Sequence, residues 1–245
     1  MGGESHSLGR IPAGTIAAVC ALGVLVWTAS APAATVDYDD FSSTAGLKLN
    51  LYAQSLDDVL QLTSGTAEVG TAFTKRRVVK PNRNFTTRFT IHQHDGTATP
   101  ADGMAFVVQS KGSDMIGGAG SDLGYGSFGQ NFAVEFDIFD SVDEPHGSNH
   151  VAITKDGESG DHLDSADPGF ELYGNVTYAR VTYTAKRHKV RVWVNDSPSL
   201  KGSPLVQARV KLPRILHGDG FAGFTAATGG FTAVQDVLEW HLKSG

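Results

Sequence analysis

The sequence predicts an all-β chain. Short runs of alternating apolar and polar residues recur along it, Gly, Asp and Pro separate those runs, and no long stretch carries a helical period. The formal net charge is −6 with a pI near 5.8, and no basic patch stands out, which argues against a nucleic-acid partner.

Residues 1–34 stand apart. Arg10 ends a polar lead, Ala13 to Trp27 is apolar, and Thr28 to Ala34 is built of small residues. This pattern predicts a secretory signal cut near Ala34, leaving a secreted domain over residues 35–245. An uncleaved membrane anchor is the competing reading, but the apolar run is short for a span. No later segment is apolar enough to span a membrane. The only cysteine, Cys20, lies in the leader, so the domain owes its stability to its core and to any metal rather than to disulfides.

The strands follow in order. Val36 to Phe41 opens the domain, then Leu47, Leu49 and Leu51 alternate. Val59–Thr63 and Gly70–Phe73 are short strand candidates, and Lys75-Arg76-Arg77 reads as solvated surface. Phe85, Thr87, Phe89 and Ile91 alternate clearly. His92 and His94 end that run as loop-mouth residues rather than metal ligands. Met104–Gln109 is apolar on both faces, which predicts a central buried strand. Asp102, just before it, is costly unless paired or hydrogen-bonded, and so is either a turn residue or a functional carboxylate at a rim.

Gly112 to Gly129 is glycine-rich but lacks the spacing of a nucleotide loop and is followed by no helix; it reads as a flexible loop that lets backbone approach a ligand. Residues 156–167 lack the spacing of a helix-loop-helix calcium site and read as a solvated acidic loop, with a second ion site as the lesser alternative. Val181–Tyr183 and Val190–Val194 form a hairpin around Lys186-Arg187-His188. A strand over Val206–Leu212 ends at Pro213, Phe221 begins a strand running into a glycine turn, and Val237–Leu242 is the closing strand.

Ala133 to His150 carries the most chemistry. On a strand, Val134, Phe136 and Ile138 share one face and Glu135 and Asp137 the other. Adjacent like charges repel and call for a partner. Three more acids and then His150 follow, an oxygen-rich set with one imidazole suited to a hard cation beside a borderline one. A solvated strand face is the bland alternative.

Four motifs in order carry a resemblance across residues 36–242. They are Ala101-Asp102-Gly103-Met104-Ala105-Phe106, Val134-Glu135-Phe136-Asp137-Ile138-Phe139, Asn149-His150-Val151 and Gly223 to Gly229, with Trp240 on the closing strand. Together they resemble the legume-type (L-type) lectins. That resemblance implies a concanavalin A-like jelly-roll sandwich of antiparallel sheets that binds glycans at a shallow site shaped by Ca2+ and by Mn2+ or another transition metal. It implies binding rather than catalysis, and a homodimer. It assigns Glu135 and His150 to the transition metal, Asp137 and Glu144 to both ions, and the Phe139 carbonyl and Ser141 to calcium. Asp102, after a cis peptide at Ala101–Asp102, becomes the sugar acceptor. Phe139, Ser141, Gly118 and Gly120 (or Ser121 beside it), Gly230 and Phe231 complete the sugar site.

Two positions depart from the family pattern: Ser141 replaces an asparagine that serves calcium and sugar, and Glu144 replaces an aspartate before Pro145. Asp140 and Asp143 are the neighbouring carboxylates that could supply the missing oxygen. Two other functions compete. Some β-glucan hydrolases of this fold carry Glu-x-Asp-x-x-Glu, which Glu135 to Asp140 nearly matches, but retaining hydrolysis needs carboxyls about 5–5.5 Å apart, and Glu135 and Asp140 would face opposite sides of an unbulged strand. The third reading is an adhesive or structural sandwich that has lost sugar recognition.

Overall fold

A computed structural model of the chain describes residues 1–4, 33–141 and 147–245. The chain divides into Met1–Ala31, of which only residues 1–4 are described, and Pro32–Gly245, which holds the fold below. The expected signal segment therefore lies mostly outside the described residues. Among the described residues no helix is long and apolar enough to cross a membrane.

Two antiparallel sheets form a jelly-roll sandwich. In chain order the strands are β1 (Ala34–Tyr38), β2 (Leu47–Leu51), β3 (Gln54–Leu56), β4 (Val59–Thr63), β5 (Val69–Thr74), β6 (Phe85–His94), β7 (Gly103–Gln109) and β8 (Asn131–Asp137). There follow β9 (His150–Lys155), β10 (Asp164–Ala166), β11 (Val176–Thr184), β12 (Lys189–Asn195), β13 (Val206–Arg209), a short helix α1 (Leu212–Leu216), β14 (Phe221–Ala227) and β15 (Val234–Ser244). One sheet runs β13-β12-β11-β6-β15-β4-β3, with β1 also paired to β15; the other runs β10-β9-β8-β7-β14-β5-β2.

Period-two patterning explains the layers. Met104, Phe106 and Val108 of β7, with Phe132, Val134 and Phe136 of β8 and Val151 and Ile153 of β9, face the other sheet and join the main core. Ala105 and Val107 point outward, yet they too are buried, in a second cluster with Phe73, Leu123, Tyr125, Phe128 and Ala133. The glycine-rich segment supplies Leu123, Tyr125 and Phe128, so β7 is apolar on both faces because a loop covers its outer one.

That loop is also more ordered than its glycine content suggests. Gly117 and Gly118 donate to Gly124 and Gly126, and the Asp122 carboxylate accepts from Ser127 and Ser159. Two other expectations change. The strand through Val206 stops at Arg209, and Pro213 sits in the first turn of α1 instead of ending a strand, a position where its missing N–H costs nothing. Arg77 does more than solvate the surface: its guanidinium lies 4.7 Å from the Phe221 ring centroid and donates to the Ser110 carbonyl at 3.0 Å.

Trp240 of β15 ties the sheets together. It is fully buried, donates from its indole N–H to Thr87 Oγ1 at 2.9 Å, and packs edge-on against Phe224 and Phe106 of the opposite sheet. Trp240→Ala should destabilise the domain by about 3–5 kcal/mol, read as a lower urea midpoint with an unchanged slope.

Candidate functional site

Strand register builds the site. Asp137 of β8 pairs with Gly103 of β7 on one side and His150 of β9 on the other. Asp102 at the entry of β7, Asp137 at the exit of β8 and His150 at the entry of β9 therefore lie at one end of three adjacent strands. Glu135, two residues before Asp137, shares its face. This face is not solvated: Glu135, Asp137 and His150 are 1%, 3% and 0% exposed.

Around Glu135 the polar groups converge. The Tyr125 hydroxyl donates to Glu135 Oε1 and lies 2.7 Å from Thr154 Oγ1. His162 Nε2 lies 3.3 Å from Glu135 Oε2, and the His150 and His162 rings are 5.0 Å apart. Burial pushes the Glu135 carboxyl above its ordinary range, opposed by its hydrogen bonds from His162 and Tyr125. Burial first, and then the neighbouring Glu135 charge, push the Tyr125 phenol well up. Glu135, His150 and His162 each present a ligand atom within 4.8 Å of the others. His150 Nδ1 lies 2.9 Å from the Gly147 carbonyl, an outer contact of the kind that orients a metal-ligating imidazole. Oxygen and imidazole donors in one buried cluster fit a divalent ion.

The second half of the site surrounds Asp102. The Ala101–Asp102 peptide is cis, Asp102 donates its N–H to Ala227, and its carbonyl accepts from Ile138. Asp102 is 5% exposed, and its Oδ2 lies buried without a full hydrogen bond among the described residues. Burial raises its pKa to about 6, partly offset by the Gly229 backbone N–H. Gly120, at φ +65°, and Gly229 flank this carboxylate: a Cβ on either would stand 4.0 Å and 3.5 Å from its oxygens. The rings of Phe139 and Phe231 lie 5.9 Å apart, and Phe231 is 46% exposed.

The remaining expected residues take these places. Gly230 is exposed and open, and Gly118 is half-buried with its N–H donated to Gly126. The Phe139 N–H donates to Asp137 Oδ1 at 2.7 Å, while the Phe139 carbonyl accepts from Ser141. Glu144, with Asp143, lies outside the described residues. Sequence reasoning missed Tyr125, Thr154, Gly229 and above all His162. The last was a lone imidazole in an acidic stretch read as solvated, although its side chain is 4% exposed.

Comparison with known proteins places the chain in a family. The family model of the legume lectin domain matches residues 33–245. The L-type lectin-domain containing receptor kinase S.7 of Oryza sativa subsp. japonica is 33% identical over 175 residues, which is 66% of this chain but only 25% of the kinase. The lectin alpha chain of Lablab purpureus is 32% identical over 167 residues, 64% of this chain and 58% of that relative. The chain thus spans only part of the length of these relatives. Among solved structures, the lectin from Bauhinia forficata in complex with GalNAc aligns with a TM-score of 0.75 at 22% identity, covering 87% of this chain and 98% of that one. The metal-free form of lectin I-B4 from Griffonia simplicifolia aligns with a TM-score of 0.73 at 21% identity, over 86% and 99% of the two chains. These structural likenesses show the sandwich. The match over residues 33–245 shows more: this chain belongs to the legume lectin domain family.

Proposed function

We propose that the chain is a secreted glycan-binding lectin whose site is held in shape by Ca2+ and a transition metal such as Mn2+. The observation that carries this reading is Asp102: a buried carboxylate whose Oδ2 lacks a full hydrogen bond among the described residues, set between Gly120 and Gly229. A sugar hydroxyl supplies the missing donor, the glycines let backbone approach, and Phe139 and Phe231 cover the apolar C–H face. Glu135 and His150 would hold the transition metal, Asp137 and Glu144 both ions, and the Phe139 carbonyl and Ser141 calcium. The ions supply no bond-making chemistry; when bound they fix loop geometry and so lower the ordering cost of sugar capture. Gly118, Gly230 and the residues beside them complete the rim. The leader at residues 1–34 supports secretion, and a sheet-to-sheet homodimer follows from the family resemblance alone.

A hydrolase reading is not favoured. Glu135 is 1% exposed and accepts from Tyr125, which does not suit a general acid that must meet a glycosidic oxygen. A sandwich that has lost sugar binding is the reading left to test, and a broad glycan array with Ca2+ and Mn2+ present decides it: silence on every glycan would sink the lectin proposal.

On the best array ligand, Asp102→Asn should weaken binding about 10- to 100-fold, the loss of a charged acceptor, with the circular dichroism spectrum unchanged. The ionised carboxylate is the acceptor, so affinity should hold above the Asp102 pKa of about 6 and decline as pH falls through it, as calorimetry at stepped pH would show. Calcium should raise the melting temperature, and exhaustive chelation should abolish glycan binding; tight binding that survives chelation would overturn the metal-dependent mechanism. Ser141→Asn restores a longer amide oxygen donor and should increase both calcium affinity and glycan affinity in paired titrations. An unchanged pair would assign calcium's remaining oxygen to Asp140 or Asp143.

A further inference from the structure

We infer that His162 is a further ligand at the transition-metal position, making it a two-imidazole site that favours zinc-type ions over manganese. This rests on the metal-dependent lectin reading above.

The fold delivers His162 to the metal face deliberately. Between β9 and β10 the chain turns through hydrogen bonds from Glu158 to Lys155 and from Asp161 to Glu158, then from Leu163 back to Ile153 at 2.8 Å. This carries His162 inward over the outer face of β8 and β9, where its side chain is 4% exposed. Its Nε2 stands 3.3 Å from Glu135 Oε2, and Glu135, His150 and His162 all offer ligand atoms within 4.8 Å of one another. Two neighbouring ligands of one zinc ion, each bound at about 2.0–2.1 Å, are separated by about 3 Å, whether the ion holds four ligands or five. The Glu135–His162 pair already has that spacing.

Two of the three side chains have outer partners of the kind that orient metal ligands. Tyr125 holds Glu135 Oε1 and is itself in contact with Thr154, and the Gly147 carbonyl engages His150 Nδ1. His162 Nε2 also lies 3.1 Å from the Ser159 carbonyl. A proton held at that nitrogen leaves when an ion takes its place, as ligation by an imidazole requires. The chemistry then sets the preference. Carboxylates and water suit manganese, whereas each added imidazole favours the later first-row ions, and zinc stands above manganese in intrinsic affinity.

The test uses the full chain, stripped by chelation and held in saturating calcium. Zn2+ and Mn2+ affinities are measured by calorimetry, and Co2+ is followed by its visible absorption. If His162 is a ligand, His162→Gln lowers Zn2+ affinity about 10- to 100-fold and alters the Co2+ spectrum, while Mn2+ affinity changes less than about threefold. His162→Asp, which returns a hard oxygen donor, recovers metal binding with the preference moved toward Mn2+. Circular dichroism checks that both variants fold. An unchanged Zn2+ affinity and Co2+ spectrum in His162→Gln would overturn the inference. Should Glu135→Gln and His150→Ala still abolish metal binding in that case, the lectin reading survives and only the role of His162 falls. If neither of those variants alters metal binding, both readings fail together.

Discussion

Buried charge on the outer face of β8 is the constraint from which the rest of the site follows. Glu135 and Asp137 lie two residues apart on one strand face and are almost entirely removed from water. An isolated carboxylate in such a place costs several kcal/mol unless it is paired, hydrogen-bonded or bound to a cation. The chain meets part of that cost itself. Tyr125 comes from the glycine-rich loop, Thr154 and His150 from the adjoining strand, and His162 from the turn beyond it. Three separate segments are thus organised around two side chains.

The same constraint explains why the outer face of this sheet is covered at all. A sandwich needs one buried face per sheet, and the second face of β7 could have remained in water. Here Ala105 and Val107 are packed beneath Leu123, Tyr125 and Phe128. The loop that seals this small apolar cluster also brings the Tyr125 hydroxyl to Glu135 and the backbone of Gly120 toward Asp102. The loop packs apolar side chains on one side and turns polar groups toward Glu135 and Asp102 on the other. Asp122, accepting from two serines and leaving no room for a Cβ at Gly118 or Gly126, stabilises the loop in that form.

The strands were legible in the sequence wherever one face had to be apolar, because period two is then imposed by burial. Leu47–Leu51, read from alternation, coincides with strand β2, and the short candidate Val59–Thr63 coincides with β4. The polar edge strand Asp164–Ala166 had no such signal, since all three residues are only half-buried and its existence depends on pairing with β9. The acids of β8 could be placed on one face by counting, but the depth of their burial could not, because it is set by loops distant in sequence. His162 illustrates the limit. Its neighbours are acidic and glycine-bearing, and only the return of Leu163 to Ile153 turns its ring inward.

The proposed metal and sugar positions are joined by very short stretches of backbone. The Asp137 carboxylate accepts the N–H of Phe139, whose ring meets Phe231, and the intervening Ile138 donates to the carbonyl of Asp102. Gly103, next to Asp102, is also the strand partner of Asp137. Any group that fixes the position of Asp137 therefore constrains Asp102 through one ladder pair and the Phe139 ring through one hydrogen bond. On the metal-dependent lectin proposal, the ladder between β7 and β8 is a short route by which a bound ion would order the sugar-facing groups. On that proposal the cost of ordering the sugar-facing groups would be met when the strand end is fixed, before a ligand arrives.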